Sequence, residues 1–485
     1  MAISFDNIPA TLRNPGTYIE FNNELAGASS TMFKVAVAGQ RLASGSQAAG
    51  IPVRVTDPSQ AMALFGQGSM LAAQCEAFLN ANTDTEMWAI ALDDDTNGTA
   101  AVGSITVATA PVSAGTLALY VGGVRISVGI SAGDDVATVA TSIAAQINAA
   151  LDLPVTATSS AGVVTVTARH KGEVLNGLDL RASFYDEAMP AGLTLTFAAL
   201  SGGAGNPDVA VALDAMGDEW FNWLVCPYTD TANLVQVETE LGDRFGPMRQ
   251  IGCRAFVAFS GTHGETGTFG SNRNNPHVTC MSTGTSPTPT YLVSAINAAV
   301  AAKSLAIDPA RPLQTLVLKG MLAPSRHERW SNSERNLLLF DGISTFTVGS
   351  DGTCRIERQI TMYQQNSSGL SDASYLDICT PETLERIRYE QRLMISQQYP
   401  RHKLASDGTQ YGAGQAIVTP QIIRGQLLSL YRTMELKGWV EAYDGYAEKL
   451  IVERDIDDAN RVNWRDTPNL VNQLRITAGK QQFII

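Results

Sequence analysis

Between Asp208 and Leu318, short apolar runs alternate with helical patterns, and this alternation constrains the fold more than any other feature of the chain. Asp208–Met216, Thr231–Phe245 and Thr288–Lys303 read as helices, while Phe221–Cys226, Cys253–Phe259 and Leu313–Leu318 read as buried strands. Strands joined through helices favour parallel pairing, so the pattern predicts an α/β layer with a largely parallel sheet. Residues 34–92 supply compatible pieces. They comprise a strand at Lys34–Gly39, an Ala-rich helix over Gly68–Asn82 and a strand at Met87–Leu92, stopped by Asp93–Asp95, Asn97 and Gly98. One α/β core is expected, written in two parts.

The segment between those parts has a different character. Thr99–Leu200 carries four basic and seven acidic side chains in 102 residues, sparse against 17% charged for the whole chain. Strands are predicted at Ser104–Thr109, Thr116–Val121, Val124–Ile130, Val155–Thr158, Val163–Ala168 and Leu178–Ser183. They surround a helix at Asp135–Ala150, capped by Asp134 or Asp135. Gly122-Gly123 signals a hairpin. This is an inserted α+β module, and SGGAGNP (Ser201–Pro207) is its exit. Farther on, Thr380-Pro381-Glu382 opens a helix that runs to Tyr399. Thr419-Pro420 opens another, with Ile423, Leu427, Leu430 and Met434 along one face and Gly438 at its stop. The expected division is an N-terminal arm at 1–24, core at 25–98, insertion at 99–200, core again at 201–380, a C-terminal domain at 381–458 and a C-terminal arm at 459–485.

Charge and motifs exclude several classes. With 47 Asp+Glu against 34 Lys+Arg and a net charge of −13, the chain lacks the clustered cations that phosphate backbones require, so no nucleic-acid partner is expected. No unbroken apolar run approaches 20 residues, and no membrane span is expected. MAISFDNIPATLRNPG lacks the basic-then-apolar order of an export signal. The six cysteines are scattered without a CxxC pair, which suits reduced, buried thiols. His277 and Cys280 are three apart, but no second close pair completes a tetrahedral set, so neither a metal nor a cofactor is expected.

The most enzyme-like stretch is GTHGETGTFGSNRNNPHVTC (Gly261–Cys280). It matches neither the P-loop spacing nor GxGxxG, and a GxSxG elbow is absent from the chain. His263 with Ser282 or Ser286 and an upstream Asp offers a serine-hydrolase alternative, yet nothing fixes their geometry. The stretch reads as a surface loop, Asp93–Asp95 as a solvated turn, and no catalytic residue is expected. Arg401-His402-Lys403 is a small basic cluster suited to solvent or to an acidic partner.

The two ends say more. Residues 1–24 carry net charge −2 and an apolar set without helical period that includes Ile3, Phe5, Tyr18 and Phe21. Residues 459–485 carry +3 and finish in two strand-like pieces, Leu474–Thr477 and Gln482–Ile485, with Leu474, Ile476, Phe483 and Ile485 as their apolar positions. Leaving a large apolar side chain in water costs about 1.5–3 kcal/mol. Such ends either fold back as edge strands or add strands to neighbouring copies. A five-residue added strand offers about five backbone hydrogen bonds at roughly 1 kcal/mol net each.

The opening IPATLRNPGTYIEF (Ile8–Phe21), the inserted module, PRHKLASDG (Pro400–Gly408) and NLVNQLRITAGKQQFII (Asn469–Ile485) together resemble contractile-tail sheath proteins of Mu-like bacteriophages over essentially the whole chain. The resemblance implies a subtilisin-like but non-catalytic core, and stacked hexameric rings of this chain around a tail tube. It also implies arms that knit subunits, a tube-facing C-terminal domain and an outward insertion. From the residues themselves, Arg401, His402 and Lys403 are expected to dock on the tube, and removal of the insertion is expected to spare assembly. The implied partners are tube, baseplate and tail terminator proteins, in a virion assembled in the host bacterial cytoplasm. Contraction would drive the tube through the host envelope. The rival structural reading is a virion surface or adhesin protein.

Overall fold

The computed structural model describes residues 33–484. Ile3, Phe5, Tyr18, Phe21 and Ile485 lie outside the described residues. The chain begins with β1 (Lys34–Gln40), β2 (Val53–Arg54), α1 (Pro58–Phe65), α2 (Met70–Ala81) and β3 (Glu86–Leu92). Local chemistry places these helices: Asp57 accepts the Ser59 and Gln60 amides ahead of Pro58, and Ser69 accepts the Ala72 amide. The insertion supplies β4 (Ala100–Thr109), β5 (Gly115–Val121), β6 (Val124–Ile130), α3 (Val136–Ala149), β7 (Val155–Ser160), β8 (Val163–Lys171), β9 (Leu180–Ala182) and β10 (Thr194–Ser201). The core resumes with α4 (Ala210–Met216), β11 (Trp223–Val225), α5 (Thr231–Phe245), β12 (Arg254–Phe259), α6 (His263–Ser271), β13 (Val278–Ser282), α7 (Thr290–Ile307) and α8 (Asn332–Phe340). A hairpin of β14 (Thr345–Val348) and β15 (Cys354–Arg358) follows.

Six strands make one sheet in the order β13-β12-β11-β1-β3-β2, parallel throughout except at the short edge strand β2. Strand geometry sends alternate side chains to opposite faces. Val35 and Val37 therefore join the apolar cluster of α2 and α7, while Ala36 and Ala38 join that of α4 and α5. Both faces are covered, which is why these strands read as unbroken apolar runs. The fold is α/β. Helix α7 is apolar enough along its 18 residues to resemble a membrane span, but 61% of it is buried inside the protein as a core helix.

Two expectations fail for separate reasons. Leu313–Leu318 is not a strand: Leu313 and Leu318 are buried, but the backbone turns through Thr315 at φ 70°, and only Val317 bridges, to Arg355. A short apolar run reports burial, not extension. Gly261–Ser271 is not a loop but mostly α6, because Thr262 and Glu265 form a reciprocal capping box. Two of its glycines are needed for packing, since a Cβ at Gly270 would lie 2.1 Å from the Asp341 carbonyl oxygen and one at Gly267 2.8 Å from the Asp341 carboxylate. Strand β10 escaped prediction because a register shift between Ala198 and Ser201 breaks its alternation.

The insertion builds a β10-β4-β8-β7 sheet and a β6-β5-β9 sheet around α3, which Asp135 caps by accepting the Thr138 amide. Gly122 and Gly123, at φ 55° and 80°, make the tight hairpin turn. The module is less separable than its composition suggests. Its apolar cluster includes Met70 of α2 and Tyr291 of α7, so two core helices complete it.

The C-terminal domain comprises α9 (Cys379–Gln398), β16 (Lys403–Leu404), β17 (Ile417–Val418), α10 (Pro420–Leu436), β18 (Val440–Glu441), α11 (Tyr443–Lys449), β19 (Ile451–Arg454), β20 (Val462–Arg465) and β21 (Asn469–Leu470). Ile423, Leu427, Tyr431 and Met434 of α10 pack on Ile387 and Met394 of α9, and the Tyr431 and Tyr446 rings stack at 3.7 Å. After β21 no strand forms through residue 484, so the strands expected at Leu474–Thr477 and Gln482–Ile485 are not built within the described residues. Neither piece has a pairing partner among the described residues.

Replacing Thr99–Ala204 with a short linker uncovers Met70 and Tyr291, at about 1.5–3 kcal/mol each. The expected product unfolds at lower urea than the parent and binds a hydrophobic dye; an unchanged urea midpoint would contradict the shared core.

Candidate functional site

The residues of the hydrolase alternative do not meet. His263 sits at the first turn of α6, its Nε2 2.9 Å from the Glu334 carbonyl oxygen and its ring edge-on to Trp330. Ser282 is buried at the end of β13, and its hydroxyl donates to the Ser344 carbonyl at 3.1 Å. Ser286 donates to the Leu322 carbonyl at 2.7 Å. Each hydroxyl proton is committed to a backbone acceptor, so His263 has no nucleophile to activate. His277 is buried against Phe245. Burial first, then Arg254 and Arg388, holds its imidazole down at about 2, which keeps it neutral. Cys280 is buried and its thiol is pushed up by burial. Among the described residues no three His, Cys, Asp or Glu side chains converge as a metal-binding group.

What the fold does assemble is a pair of buried polar joints. The first lies at the carboxyl ends of the parallel strands. There the order reverses between β3-β1 and β11-β12, and open α/β sheets usually leave a ligand crevice at such a point. Here the insertion fills it. The Met70 amide at the start of α2 donates to His170 Nε2 at 3.0 Å, so the ring carries its proton on Nδ1, 3.0 Å from Asp94 Oδ1. Gln40 bridges the same groups, donating to Asp94 at 2.7 Å and to the Lys171 carbonyl at 2.8 Å. Burial opposes ionisation of Asp94, but hydrogen bonds from His170 and the Lys171 amide hold its carboxyl below the usual range. Asp94 is thus a joint residue and not part of a freely solvated turn. The alternation of β8 contained the signal for its partner, because Val164, Val166 and Ala168 point inward and His170 continues their register.

The second joint ties the sheet to the C-terminal domain. Arg254 of β12 is buried, donates to the Pro381 carbonyl at 3.0 Å and lies 3.7 Å from Glu382 of α9. One turn on, Arg388 pairs with Glu385 and donates to the Phe245 carbonyl at 2.6 Å. Burial raises the Glu382 carboxyl to about 7, against the pull of Arg254.

The proposed contact residues lie elsewhere. Arg401, His402 and Lys403 are exposed; His402 packs edge-on against Tyr399, and Lys403 donates to Gln415 at 3.0 Å. In the tail, Leu474, Ile476, Phe483 and Ile484 are 70–101% exposed.

The geometry defines a chain whose polar interior joins parts together and whose apolar end faces outward. The family described as phage tail sheath protein central domain matches residues 202–362, and the phage tail sheath C-terminal domain matches residues 371–484. The chain belongs to the phage tail sheath protein family, a family of structural virion proteins and not enzymes. Within that family it stands with the sheaths of Mu-like phages. It is 44% identical to the Mu-like prophage FluMu tail sheath protein of Haemophilus influenzae, over 100% of both chains. Among solved structures, it is similar to a sheath tail protein from Desulfitobacterium hafniense, with 12% identity, 94% of this chain and 100% of that one covered, and a TM-score of 0.48. The contracted helical sheath of the anti-feeding prophage is another, at 10% identity, 98% of each chain and a TM-score of 0.45.

Glu382 gives the second joint a signed pH dependence. A carboxyl raised in the folded state contributes stability that is complete below its unfolded value, near 4.5, and is lost as pH rises through about 7. Glu382→Gln imitates the protonated form. Its melting temperature is expected to exceed that of the parent at pH 8, with the gap closing toward pH 5. His277 acts with the opposite sign, losing stability as pH falls below 6.5, and is common to both proteins. A gap independent of pH would refute the assignment to Glu382.

Proposed function

We propose that this chain polymerises as stacked hexameric rings around a tail tube, and that its arms donate strands to neighbouring copies. The observation that carries the reading is the exposed apolar tail, which no strand among the described residues pairs. The receiving surface we favour is the β19–β20 hairpin, a two-stranded sheet that carries the half-exposed Ile451 and Trp464. The N-terminal segment with Ile3, Phe5, Tyr18 and Phe21 plays the matching role. We read residues 25–98 and 201–380 as one subtilisin-like, non-catalytic core, 99–200 as the outer module and 381–458 as the tube-facing domain. Arg401, His402 and Lys403 contact the tube, while baseplate and tail terminator proteins close the two ends. Assembly takes place in the host bacterial cytoplasm.

Work follows from geometry. Repeated heterologous contacts between nearly rigid subunits allow two packings of one array. The tube traps the extended packing, a baseplate trigger releases one ring, and the arms pass the change to the next. The tube is then driven through the host envelope without nucleotide or cofactor.

Removing residues 476–485, or 1–20, is expected to leave a folded, soluble subunit that no longer forms tubes. Circular dichroism checks the fold and negative-stain microscopy the assembly. Normal tubes from both truncated chains would make the arms dispensable.

A further inference from the structure

We infer that the C-terminal arm has a releasable anchor: Arg475, held by Asp377, fixes how much of the arm is free, and the strap Val471–Arg475 is built to peel from the body. This rests on the arm reading above.

The strap begins where β21 ends. The Val471 amide donates to the Trp439 carbonyl at 3.1 Å, Gln473 donates to the Ala310 carbonyl at 3.0 Å, and Gln314 donates to the Leu474 carbonyl at 3.3 Å. Arg475 then closes a clamp on Asp377 at 2.9 Å. The same carboxylate receives Arg358 of β15 through two bonds of 3.1 and 3.0 Å. Asp377 lies just before Ile378, the N-cap of α9, so the clamp joins the arm to the core hairpin and the C-terminal domain at one point.

The manner of attachment matters more than the number of bonds. The strap borders a polar cavity of about 500 Å³ whose other wall includes Ser374, Thr380 and Thr383, and Leu474 points away from it, 70% exposed. Polar contacts hold the strap, with little apolar burial beneath it. Their net contributions are small one by one, and the ionic part is screened by salt. Beyond Arg475, no hydrogen bond joins residues 476–484 to the body among the described residues. Among the described residues Arg475 is therefore the last fixed point. Residues 476–485 span at most about 35 Å, and freeing the five strap residues adds about 17 Å. A switch of that length lets one tether serve two spacings between copies without breaking its distal contact.

The sequence provides its own reporter. Arg475 and Lys480 are both trypsin sites, five residues apart, and among the described residues only the first is clamped. In the full-length chain at low salt, mass spectrometry of limited digests is expected to show cleavage after Lys480 about tenfold faster than after Arg475. Asp377→Asn, and separately about 0.5 M NaCl on the unaltered protein, should bring the two rates together. Equal rates in the unaltered protein at low salt would overturn the anchor, and so would a slow Arg475 cut that neither salt nor Asp377→Asn accelerates.

The length role has a compensation test. Deleting Ile476–Lys480 is expected to stop tube formation, and Asp377→Asn in the same chain is expected to restore it by releasing five residues for the five removed. Failure of that rescue overturns the length-setting role and leaves the arm reading standing. Normal tubes from the deletion alone would overturn the arm reading itself, while the digestion rates would still report on the clamp.

Discussion

Ile476, Phe483 and Ile484 stand almost fully in water, at about 1.5–3 kcal/mol per side chain. Among the described residues no strand pairs with the segment that bears them, and nothing there offsets this cost. A neighbour that accepts the tail as a strand removes the apolar surface from water and supplies backbone hydrogen bonds together. In the proposed reading, association between copies runs through this apolar tail, and the rest of the fold presents it from a stable base.

The base is made stiff by buried polar joints. Asp94, His170 and Gln40 fill the crevice where related sheet topologies hold ligands, fastening the insertion to the core through groups that must stay paired once buried. Arg254 with Glu382, and Arg388 with Glu385, do the same between the sheet and α9. Breaking one partner of such a set strands the other away from water, so bending within the subunit is disfavoured relative to rearrangement between subunits. In the proposed array, rigid bodies linked by tails would store work in how copies pack.

Much of this was legible in the sequence, and the failures are informative. Alternating apolar and helical patterns located β1, β3, α5 and the parallel sheet because a doubly covered sheet has no polar face to confuse the signal. Asp135 and Thr419 announced their helices through capping chemistry. Leu313–Leu318 misled because burial and strand geometry are separate properties, and Gly261–Ser271 because four glycines hid a Thr262–Glu265 capping box. The joints were the hardest to see. Asp94 and His170 lie 76 residues apart, and only the inward register of β8 hinted that His170 was buried. The exposed apolar tail was visible from composition, but its root at Asp377 needed the fold, since 98 residues separate the pair.

The most direct measurement is hydrogen exchange at the backbone amides of residues 476–484, in dispersed subunits and in assembled tubes of the same protein. If the tail completes a neighbour's sheet, these amides exchange at free-chain rates in the subunit and become strongly protected in the tube. Free-chain exchange in both states, or protection already present in the dispersed subunit, would contradict the account.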